Sequence, residues 1–155
     1  MTTTSVARPV KRRSALTILA FVVLGLAAAG CMPDDARTFL DRTNSLRSSR
    51  GVAALSENDA LTRKAEEWAQ HMAATGRLEH SNLSSNLGDL QWQALGENVA
   101  YTTPTSDTLR TLHEMFVSSS GHRANLLSSN FTHMGVGVAQ DSRGRVWVAE
   151  VFAKL

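Results

Sequence analysis

Apolar residues recur along this chain with two different periods. Phe39, Leu40, Thr43 and Leu46 fall on one side of a predicted first helix. Asp34 and Asp35 stand where acidic side chains cap free N–H groups, and Gly51 is placed to stop the helix. A second helix follows Ser56-Glu57-Asn58-Asp59, a start resembling a capping box. Its apolar face is Leu61, Ala65, Trp68, Ala69 and Met72, and Gly76 is its stop. A third is predicted from about Thr103-Pro104, because proline suits the first helical position. Leu109, Leu112 and Phe116 form its face, and Ser118-Ser119-Ser120-Gly121 ends it. The period then drops to two. Segments 134–139 and 146–152 are rich in β-branched and aromatic residues, and the turn-forming stretch 140–145 joins them into a β-hairpin. Between the second and third helices, from His80-Ser81-Asn82 to Tyr101, the pattern reads as irregular chain. Helices followed by a hairpin predict an α+β fold, with helices packed on a small, mostly antiparallel sheet.

The first thirty residues follow a different rule. A basic stretch containing Arg8, Lys11, Arg12 and Arg13 precedes a mostly apolar run, 15–30. A run of that length is short for a membrane-spanning helix, which needs about 20 residues. It suits the core of an export signal. The run ends Ala28-Ala29-Gly30-Cys31, which resembles a bacterial lipobox with Ala28 where leucine is usual. Cys31 is the only cysteine, so no disulfide can form within the chain. Residues 1–30 are therefore expected to be a lipoprotein-type signal peptide, 31–35 a tether and 36–155 one domain. Cys31 would carry the lipid that anchors the domain to the outer face of the cell membrane. A cleaved secretory signal with an unused cysteine, or a signal anchor, are the alternatives.

Removing that leader changes the charge picture. The whole chain carries +2, but beyond position 30 there are 12 Lys and Arg against all 14 Asp and Glu. The excess of basic groups belongs to the N-terminus, so no nucleic-acid partner is expected.

Five histidines are candidates for chemistry. His71 and His113 lie beside helical apolar stripes and are expected to be structural, whereas His133, before the hairpin, is expected to be loop surface. His80 lies past a helix stop, in chain where side chains can converge on a cleft. His122 opens the short apolar segment Ala124-Asn125-Leu126-Leu127, a helical turn, and a helix N-terminus keeps imidazole neutral. Glu97, between Gly96 and Asn98, suits orienting an imidazole N–H. There is no H-E-x-x-H, C-x-x-C or G-x-S-x-G motif. Ser81 has no readable oxyanion partner.

Three segments carry a family resemblance: Leu78-Glu79-His80-Ser81, Gly96-Glu97-Asn98-Val99-Ala100 and Gly121-His122-Arg123-Ala124-Asn125-Leu126-Leu127. The strand segments 134–138 and 147–152 follow them in the same order. Together they resemble the CAP superfamily, the SCP-like domains of cysteine-rich secretory, antigen 5 and pathogenesis-related 1 proteins, in its bacterial branch. The resemblance implies an α-β-α sandwich with a cleft lined by two histidines and acidic residues. By motif, the first histidine is His80, the first glutamate Glu97 and the second histidine His122. The family's second glutamate falls on Ser119 here, and Glu114 turns away from the apolar face. Glu150 is an acidic candidate by position, or else a solvated strand residue.

These readings predict a surface-displayed binding module for an extracellular or envelope ligand. Its partners would be the membrane, through the lipid anchor, and that ligand. His80 and His122 are candidate ligands of a divalent cation such as zinc, with Glu97 behind them. The competing expectations are a hydrolase of envelope or external polymers and a plain structural envelope protein.

Overall fold

The computed structural model describes residues 34–155. The leader, the tether up to Pro33 and Cys31 lie outside the described residues. Helix α1 spans Asp34–Ser49 and α2 Asp59–Thr75. Two further helices, α3 (Thr108–Ser118) and α4 (Ser120–Leu127), follow each other almost directly. The strands are β1 (Ser56–Glu57), β2 (Ala94–Thr102), β3 (His133–Gln140) and β4 (Val146–Lys154). They form one sheet in the order β1-β3-β4-β2. β1 runs parallel to β3, whereas β3–β4 and β2–β4 are antiparallel. None of the helices described is long and apolar enough to cross a membrane.

Local chemistry sets most of the boundaries. Asn58 caps α2, its Oδ1 accepting from the N–H groups of Ala60 (3.0 Å) and Leu61 (3.2 Å). Gly76 ends α2 in the left-handed conformation, φ +68°. The predicted start of the third helix needs correction. Pro104 precedes α3, and Asp107 caps it by accepting from Arg110 N–H at 3.0 Å. A side-chain acceptor satisfies an orphan donor, whereas proline only avoids having one.

Two helical layers sandwich the sheet. On one face α2 packs Leu61, Ala65, Ala69 and Met72 against Val99, Trp147, Ala149 and Val151. On the other, Phe39 of α1, Phe116 of α3 and Leu126 of α4 cover Val136, Val148 and Phe152. The alternation predicted for the hairpin decides which residues meet α2. Met134 and Val136 face one layer, and Gly135 and Gly137 face the other. A Cβ at Gly135 would lie 2.1 Å from Thr62 N, and one at Gly137 would lie 2.2 Å from the carbonyl carbon of Ala65. The two glycines let the backbones of α2 and β3 touch.

Arg47 ties the α1/α4 layer to the loops. Buried to 1% exposure, its guanidinium donates to the carbonyls of Ala53 (2.7 Å), Leu126 (2.8 Å) and Ser128 (3.0 Å). A buried cation is tolerable when its N–H groups find acceptors.

Candidate functional site: a cleft at the edge strand

Glu97 does not lie in irregular chain, as predicted, but in β2, the edge strand, directly opposite Val151 of β4. Consecutive strand residues point to opposite faces, so Glu97 and Asn98 serve different layers.

Glu97 faces the loop that leaves α2. Its side chain is 1% exposed. Ser81 holds it, donating from its backbone N–H to both carboxylate oxygens at 3.1 Å and from Oγ to Oε1 at 2.6 Å. A charge-assisted set of this kind is what makes a buried carboxylate tolerable. His80 Nδ1 lies 3.4 Å from Glu97 Oε2, with the imidazole 62% exposed. Ser81 is therefore a holder of Glu97, with its hydroxyl already donated.

His122 arrives from the other layer, in the first turn of α4. Phe116 meets its ring edge-on, with centroids 5.0 Å apart. Asn98 Nδ2 donates to its backbone carbonyl at 3.2 Å. Burial holds the His122 pKa below the ordinary value, and the charge of His80 lowers it further. His80 thus contacts β2 from the α2 side through Glu97, and His122 from the α4 side through Asn98.

Beneath the cleft runs a polar network that motif reading did not assign. Asn98 Nδ2 also donates to Glu150 Oε2 at 2.9 Å. Asn125 Nδ2 donates to Asn98 Oδ1 (3.0 Å) and to the backbone carbonyl of Glu97 (3.2 Å). Glu150 is 0% exposed, so it is not a solvated strand residue. Burial pushes its carboxyl up to about 8 against the opposing pull of the Asn98 bond. The signal for this network was two asparagines and a glutamate inside otherwise apolar segments. Of the other acidic candidates, Glu114 is exposed on α3.

The remaining histidines have local partners. His71 stacks on Trp68 with centroids 4.5 Å apart and approaches Glu79 at 3.2 Å. His113 is half-buried near Phe39, and burial lowers its pKa. His133 belongs to β3, not to a loop, and pairs with Ala153. Among the described residues no group of three or more His, Cys, Asp or Glu is arranged to hold a metal ion.

The sandwich and the order of its elements agree with what comparison shows. Residues 40–151 match the Cysteine-rich secretory protein family, CAP, and the chain belongs to that family. The uncharacterized protein YkwD of Bacillus subtilis is 26% identical over 123 residues, which are 74% of this chain and 46% of that protein. This chain thus spans under half the length of that relative. An outer surface protein of Borrelia burgdorferi superposes with TM-score 0.67 at 16% identity, covering 77% of this chain and 92% of that one. An extracellular SCP-domain protein of Bacillus anthracis gives TM-score 0.64 at 25% identity, over 83% of this chain and 45% of that one. The domain is thus a CAP domain.

Proposed function

We propose that this protein is an exported binding module, held by a lipid on Cys31 at the outer face of the membrane, whose cleft at His80, Glu97 and His122 takes a divalent cation such as zinc. The observation that carries the cleft reading is the fixed contact of Glu97 with His80. A carboxylate at Nδ1 leaves Nε2 as the nitrogen able to ligate, and it orients the ring. Burial keeps His122 neutral at physiological pH, as a ligand must be.

The donor set is modest. It consists of two imidazole nitrogens, because Ser81 and His80 already engage the Glu97 oxygens. Two nitrogens are one fewer than the three protein ligands of a usual open zinc site, so water or the bound ligand would have to fill the remaining positions. Bound there, the ion would supply a Lewis acid to an envelope ligand. The chain's own contribution is to hold His80 through Glu97 and to hold His122 through Phe116 and Asn98. The Ser81 bonds leave Glu97 poorly free to act as a base, which favours binding over hydrolysis.

Calorimetric titration of zinc into the soluble domain tests the cleft. Uptake is expected at pH 7.5 and is expected to weaken at pH 5.5, below the ordinary histidine pKa of about 6.5. His80→Ala and His122→Ala should each abolish it, and Glu97→Gln should weaken it by about 10–100-fold. Equal uptake by all variants, or none by the unmodified domain, would overturn the cation reading. For the anchor, Cys31→Ser should move the protein from the membrane fraction to the soluble one. A variant that stays equally membrane-bound rules the lipid out.

A further inference from the structure

A concavity of about 410 Å³ lies between α2 and the loop that follows it. That volume falls in the range of small-ligand pockets, about 300–1,000 Å³. Lys64 lies in its wall, although the residue is only 4% exposed. Its Nζ donates to the carbonyls of Asn82 (2.7 Å) and Ser85 (2.9 Å). An ammonium has three N–H groups, and two are engaged by these carbonyls. Burial lowers the Lys64 pKa, while the charges of Glu97 and Glu67 raise it. A nearly dry cation with a remaining donor is a strong hydrogen-bonding point for whatever fills the pocket.

The rest of the lining defines the ligand's chemistry. Trp68 is fixed by its Nε1–H, which donates to the Glu79 carbonyl at 2.8 Å, and His71 stacks on it. Together they put an aromatic pair in the wall. Around them stand the Asn82 and Asn86 amides, with Asn86 Nδ2 donating to Glu67 Oε2 at 3.3 Å. Each amide still has an unused donor or acceptor position. The one ammonium is balanced by the one carboxylate, so the lining selects neither an anion nor a cation. Aromatic surface beside amides, hydroxyls, one ammonium and one carboxylate matches a ligand with apolar C–H faces and many alternating donors and acceptors.

We infer that this groove binds a neutral pyranose glycan, with a sugar ring against Trp68 and His71 and a hydroxyl or acetamido oxygen accepting from Lys64. The groove shares only Ser81 with the cleft. Ser81 lines it while holding Glu97. Glycan binding is therefore independent of the cation reading and should survive His122→Ala.

The test is titration of the soluble domain with chitotriose and maltotriose, followed by tryptophan fluorescence and by backbone amide shifts in NMR. Saturable binding of either sugar in the millimolar range or tighter is expected, with shifts clustered on residues 64–71 and 81–86. Asn86→Gly, which removes the amide while keeping the φ of +59° accessible, and Trp68→Phe should each weaken binding about tenfold, with unchanged circular dichroism confirming that the variants fold. No binding by either sugar overturns the proposal. So does binding that Asn86→Gly and Trp68→Phe leave intact, or a preference for inorganic phosphate over both sugars.

Discussion

Asn98 and Glu150 stand directly opposite each other on β2 and β4, joined by a 2.9 Å bond from the Asn98 amide to Glu150 Oε2. The same amide nitrogen reaches the His122 carbonyl at 3.2 Å. One cross-strand pair thus connects a fully buried acid in the sheet to the backbone of a cleft histidine. Because burial raises the Glu150 pKa, this acid enters the core protonated at neutral pH, and the network costs less than a buried charge would.

Stability should therefore depend on pH through Glu150. The carboxyl titrates at about 8 when folded, against an ordinary 4.5 in the unfolded chain. Between those values the folded state holds the extra proton, so its contribution is full below about pH 4.5 and is lost as pH rises through about 8. The total is of order 5 kcal/mol, at about 1.4 kcal/mol per pH unit. Glu150→Gln cannot ionise and should flatten this slope. Urea unfolding at pH 5, 7 and 9 reads it directly, and identical slopes for both proteins would exclude Glu150 as the source.

Gly137→Ala should force α2 off the sheet. Its Cβ would lie 2.2 Å from both the carbonyl carbon and oxygen of Ala65, backbone atoms that cannot rotate away. A loss of about 3 kcal/mol is expected. Gly121→Ala is the contrast, since a Cβ there meets nothing within 4 Å. It lies in α4, where alanine is favoured over glycine, so no loss is expected. Equal thermal shifts for the two variants would contradict the close α2–β3 approach.

Trp147→Ala should cost about 3–5 kcal/mol. The side chain is fully buried, stacks on Tyr101 at 4.4 Å and donates from Nε1 to Asp141 Oδ2 at 3.1 Å. Part of the cost appears at the hairpin turn, because Asp141 also accepts from Arg145 and from the turn's own N–H groups. A measured loss under about 1 kcal/mol would mean that the indole does not fill the α2 face of the core.

Arg47→Met should be more damaging than its alkyl volume suggests. Methionine can occupy the apolar path but leaves the Ala53, Leu126 and Ser128 carbonyls without their donor. Orphaned buried acceptors cost about 1–3 kcal/mol each where water cannot reach them. Chemical denaturation should give a loss of at least about 2 kcal/mol. A near-neutral result would show that water replaces the guanidinium.

Much of this architecture is legible from the chain alone, for a local reason. α1 and α2 carry their own apolar stripes, α2 its own cap and stop, and the hairpin its own turn, so each is specified by neighbours within a few residues. The motifs around His80, Glu97 and His122 are likewise contiguous segments. The tertiary structure decided what depends on distant partners. β2 does not announce itself as a strand, because Glu97 and Asn98 are polar side by side and both are buried. They can be buried only because Ser81 bonds one, while Glu150 and Asn125 bond the other. β1 is only two residues long and exists through its pairing with β3. Glu150 looks like a solvated strand residue until Asn98 is set opposite it. A hydrophobic pattern reports which side chains avoid water, but a buried polar group is tolerated only when its partner arrives, and here those partners come from 16 to 52 residues away.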